Sequence, residues 1–78
     1  MNDWLDNASH RLAAAAGADP ASLGLDQAAA DELLELARLA ARDSGERMTA
    51  PLVCYLVGLA RGRHGGDLSD YVDAVVGK

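Results

Sequence analysis

Apolar residues recur along this chain at helical spacing, in blocks separated by short stretches rich in glycine, proline and aspartate. In the first block Trp4, Leu5, Ala8, Leu12, Ala15 and Ala16 share one face, with Asp6, His10 and Ala13 opposite. Asn2 or Asp3 caps this block and Gly17 ends it, so a helix is predicted over about 3–16. The connection GADPASLGLD follows; Pro20 and Gly24 interrupt regular structure, Leu23 and Leu25 anchor it inward, and one helical turn can start at Pro20.

Asp26 caps the second helix, predicted over about 27–43. Its inner stripe is Ala29, Ala30, Leu33, Leu34, Leu36, Ala37, Ala40 and Ala41; Asp31, Glu35, Arg38 and Arg42 lie outside, with Leu39 the one apolar misfit. After SGERMT, Thr49 is placed to cap a third helix over about 50–64, with Pro51 tolerated in its first turn. This segment, Ala50 to Gly62, carries almost no polar residue. Leu52, Val53, Leu56, Val57, Leu59 and Ala60 cover one broad face, and Cys54 and Gly58 form a narrow strip of small residues opposite. A helix apolar nearly all round reads as buried. The expectation is a central helix enclosed by the others, with Gly58 in close contact with a neighbour to offset its propensity cost of about 1 kcal/mol. Gly65 and Gly66 stop it, and Asp67 caps a fourth helix over about 68–76 with Leu68, Val72, Val75 and Val76 inward and Tyr71 at the edge. The fold class is therefore all-α: one compact four-helix domain over 1–78 with a central apolar third helix.

Charge and composition narrow the function classes. The net charge of −5 lacks the basic stripe that nucleic acid requires. No apolar run approaches the ~20 residues of a membrane span, and the start of the chain lacks the basic and apolar regions of a secretory signal, so a cytoplasmic protein is expected. The lone Cys54 excludes an internal disulfide and, within an apolar segment, reads as a buried small residue rather than a nucleophile. His10 and His64 have no second ligand at metal spacing, and the carboxylates fall at caps and on solvated faces. No catalytic residue, metal or cofactor is assigned, and the chain is read as non-enzymatic.

One constellation stands out on this acidic chain. Arg38, Arg42, Arg47, Arg61 and Arg63 lie near the junction of the second and third helices in sequence terms, a candidate anion- or partner-binding patch. The competing reading pairs Arg38 and Arg42 with Glu35 and Glu46 and leaves Arg61 and Arg63 to the helix C-terminus.

Leu36-Ala37-Arg38, Glu46-Arg47, Ala50-Pro51-Leu52 and the run Tyr55 to Ala60, with the early Trp4, span most of the chain. In these the sequence resembles a small actinobacterial domain of unknown function. That domain occurs alone or joined to the nucleotidyltransferase of molybdopterin-guanine dinucleotide biosynthesis. Its central turn often reads ERPAAPLT, where this chain has Glu46 to Val53 as ERMTAPLV. The resemblance implies an accessory or protein-interaction domain whose partner is the molybdenum cofactor guanylyltransferase, and it carries no catalytic residues across. The alternative is a small-ligand or nucleotide-binding domain that uses the arginine corner; an enzyme centred on Cys54 is a third reading. A homodimer, with Leu39 or Trp4 at the contact, is also compatible with so small a core.

Overall fold

Helix starts and stops follow the capping chemistry of the chain. In the computed structural model, which describes residues 2–77, the order is α1 (Asp3–Ala16), a short 3-10 helix (Pro20–Leu23), α2 (Gln27–Ser44), α3 (Thr49–His64) and α4 (Leu68–Val76). Among the described residues no strand forms, and the all-α four-helix expectation holds. Asn2 Oδ1 accepts the Leu5 N–H at 2.8 Å, and Asp26 Oδ1 accepts that of Ala29 at 2.7 Å. Each bond satisfies an amide that the first turn of a helix leaves unpaired. Gly17 stands at φ 67°, and the Gly17 and Ala18 amides bond back to the carbonyls of Ala14 and Ala13, a Schellman close.

Thr49 does not cap α3. It is the first helical residue, preceded by Met48 with no side-chain cap bond. The helix grows instead out of a turn in which the Thr49 and Ala50 amides bond to the carbonyls of Glu46 and Arg47. At its far end Gly65 and Gly66 both take positive φ, which lets the chain reverse into α4. The Tyr71 hydroxyl locks that reversal by donating to the Gly65 carbonyl at 2.5 Å, and Arg61 Nε donates to the Gly66 carbonyl at 3.3 Å.

The core lies among α2, α3 and α4. Leu36, Val57, Leu68 and Val72 are buried together, with Ala29, Leu33, Val53, Cys54, Tyr71 and Val76 packed around them. Leu36 is the large side chain fully shielded from solvent. The end of α2 at Asp43 shares a groove with Thr49 at the start of α3, and Ala29 near the start of α2 shares another with Arg61 near the end of α3, so the two helices run antiparallel.

α1 stands apart from this unit. It packs on the 3-10 helix, and none of its Cα atoms comes within 8 Å of α2, α3 or α4. The side expected to be inward is mostly open, with Trp4 76% and Leu12 61% exposed, while Ala13, expected outside, is fully buried. The reason is local. The Schellman close folds the chain back over Ala13, and no second long helix covers the Trp4–Leu12 stripe. Two further assignments are exchanged in α2: Leu34 is exposed, and Leu39 is half-buried in a groove with Val53, Val75 and Val76. No helix among the described residues is long and apolar enough to cross a membrane.

Candidate functional site

The third helix is helical as expected but not enclosed, because α1 does not reach it. Two neighbours cover only the side that carries Val53, Cys54 and Val57. Because α3 is apolar all round, burying that side leaves apolar residues on the other. Met48, Leu52, Tyr55 and Leu56 recur at helical spacing on the uncovered side and are 76%, 65%, 67% and 59% exposed. No charged residue occurs from Thr49 to Ala60. Arg63 falls in the last turn on the row begun by Met48, Leu52, Tyr55 and Leu59.

A second apolar surface lies between α1 and the 3-10 helix. It is a concave cleft lined by Leu5, Leu12, Pro20, Leu23 and Leu25, with His10 at its edge. His10 Nδ1 and the Ser9 hydroxyl both donate to the Asp6 carbonyl, at 2.8 Å and 3.0 Å. Both are therefore committed to their own helix and do not form a nucleophile–base pair.

These surfaces have a measurable extent. The accessible surface of the chain is 5751 Å². A compact monomer of 8.1 kDa exposes about 4500 Å², so about 1250 Å² is surplus. Among the described residues nine large apolar side chains are 40% or more exposed, against six apolar residues buried, two of them alanines. Scattered exposed apolar residues are ordinary, but a contiguous apolar helix face marks a contact surface.

The five arginines do not gather into one patch. Arg47 precedes α3 and Arg61 and Arg63 end it, so the length of the helix holds them about 20 Å apart. Arg38 forms a two-pronged ion pair with Glu35, at 3.1 Å and 2.5 Å, and that hydrogen bond raises the Arg38 pKa. Arg42 pairs with Asp43 at 3.3 Å, not with Glu46, and Arg61 serves the Gly66 carbonyl. The Arg38–Glu35 pair has the i,i+3 spacing at which side chains on a helix meet.

The small-residue strip of α3 also departs from expectation. A Cβ placed on Gly58 or Gly62 would meet nothing within 4 Å, so no neighbouring helix closes on the bare backbone. The strip opens instead on a shallow groove with Leu23, Leu33, Cys54 and Arg61. Cys54 is half-buried, its thiol 3.9 Å from the Leu33 carbonyl, and burial raises its pKa. No cation counters that shift, so the protonated thiol is favoured, the opposite of what a nucleophilic thiolate needs. No group of three or more potential metal ligands occurs among the described residues.

Comparison with protein families places the whole chain, residues 1–78, within a domain of unknown function (DUF6457), and the chain belongs to that family. No curated protein and no solved structure matches it.

Proposed function

We propose that this chain, as a member of that family, is a non-enzymatic protein-interaction module that works as an accessory domain in the cytoplasm. The observation that carries the reading is the surplus of about 1250 Å² of surface, together with the exposed large apolar side chains, set against a standard contact of about 800 Å² per partner. The concave cleft between α1 and the 3-10 helix is the docking surface for a different protein. A concave surface is not complementary to itself, whereas leucines and a proline lining it accept apolar side chains from another chain. Trp4, on the same helix, is the residue type that most often dominates such contacts.

For the partner we propose the molybdenum cofactor guanylyltransferase, on the resemblance set out above. The test is calorimetric titration of the chain into that enzyme. Binding is expected with the unaltered chain, with a loss of roughly tenfold to a hundredfold for Leu12→Glu and little change for Asp31→Asn on the solvent face of α2. Absence of heat at high micromolar concentration rejects this partner. Equal binding by Leu12→Glu rejects the cleft.

A further inference from the structure

We infer that the outer face of α3 pairs with the same face of a second copy of this chain, the two helices running antiparallel across a two-fold axis near Tyr55. This goes beyond the reading above and uses a different surface. Self-pairing requires a patch that is complementary to itself. Most of this acidic molecule is not, because two copies brought together bring like charges together. The outer face of α3 is the exception, since Met48, Leu52, Tyr55 and Leu56 are exposed and no charge interrupts the helix before Arg61.

The ends of the face supply the orientation. The exposed Glu46 precedes α3, and the exposed Arg63 lies in its last turn. The ion pairs among the described residues join Arg38 to Glu35 and Arg42 to Asp43, leaving Glu46 and Arg63 outside them. The two flank the stripe symmetrically about a midpoint between Cys54 and Tyr55, roughly 25 Å apart at helical rise. Antiparallel pairing about that midpoint sets each Arg63 beside the partner's Glu46. Parallel pairing would oppose glutamate to glutamate and arginine to arginine. The two-fold also brings the Tyr55 rings of both copies together, an aromatic pair at the centre of the contact.

Sedimentation equilibrium of the full chain tests this, with far-UV circular dichroism confirming that each variant is helical. A monomer–dimer equilibrium is expected. Leu56→Glu lowers the association constant at least about a hundredfold, since two buried copies of the charge are introduced. Should that variant lose its helical signal, Leu52→Gln carries the same comparison. Arg63→Glu and Glu46→Arg each weaken association about tenfold by opposing like charges at both ends, and the E46R/R63E double variant recovers it to within about twofold. A chain that stays monomeric at all concentrations overturns the inference, and so does a double variant no better than the singles. Neither result touches the cleft, which Leu12→Glu probes separately.

Discussion

Leu36→Ala is the substitution whose cost separates a three-helix core from one shared by all four helices. Leu36 is fully buried beside Val57, Leu68 and Val72. Truncating a leucine in such a place removes transfer free energy and leaves a cavity, at about 2.7–5.0 kcal/mol in total. A chain of this length has about 4–12 kcal/mol of stability to lose. At about 4–8 °C per kcal/mol, the melting temperature falls by at least 10 °C. Leu12 in α1 makes the contrast. It is 61% exposed, so less than half of the roughly 2 kcal/mol for a fully buried leucine is at stake, and Leu12→Ala costs about 1 kcal/mol or less. Both values come from urea titrations followed by ellipticity at 222 nm, at concentrations low enough to keep the chain monomeric. If Leu36→Ala is too unstable for a native baseline, Val57→Ala stands in at about 2 kcal/mol. A cost for Leu12→Ala equal to that for Leu36→Ala refutes the reasoning, because α1 would then belong to the same core.

Other outcomes follow from local geometry. Gly17→Ala puts a side chain at φ 67° and is expected to cost about 1 kcal/mol by thermal melting, with faster amide exchange confined to α1 and the following turn. Asn2→Ala removes the cap bond to Leu5 and is expected to cost about 0.5–1 kcal/mol, read as fraying of the first turn of α1 in hydrogen exchange. Cys54 in the folded chain is expected to label more slowly with a thiol reagent at neutral pH than in urea, and faster as pH rises. Because burial raises its pKa, its contribution to stability is present below the unfolded thiol value and is lost as pH climbs through the folded one. Stability at alkaline pH should therefore fall less in Cys54→Ala than in the unaltered chain.

Local chemistry made the helix boundaries legible. Asn2, Gly17, Pro20, Asp26 and Gly65-Gly66 each act on a turn of backbone beside them, and the elements begin and end within a residue of where those signals put them. Thr49 has the chemistry of a cap, but a turn whose Glu46 and Arg47 carbonyls accept the Thr49 and Ala50 amides starts the helix instead. Legibility stopped at the choice of face. α3 has no polar side to disclose its inward direction: of the broad face that reads as core, Val53 and Val57 pack inward and Leu52 and Leu56 do not, while Cys54, read on the opposite strip, packs with the valines. The candidate surface was hidden for the same reason, since its residues look like core until the neighbours fail to cover them. The arginines illustrate a related blindness. Arg47 and Arg61 look close in the sequence, yet they stand at opposite ends of α3 and the length of that helix separates them.

The central claim is that the apolar outer face of α3 is surface made for contact and plays no part in the core of the single chain. The melting temperature of Leu56→Glu, taken at a concentration where the unaltered chain is monomeric, measures this directly. A position 59% exposed predicts a loss of about 1 kcal/mol or less relative to the unaltered chain. A loss of 3 kcal/mol or more, on the scale of about 2.7–5.0 kcal/mol for a buried leucine, contradicts it and returns Leu56 to the interior.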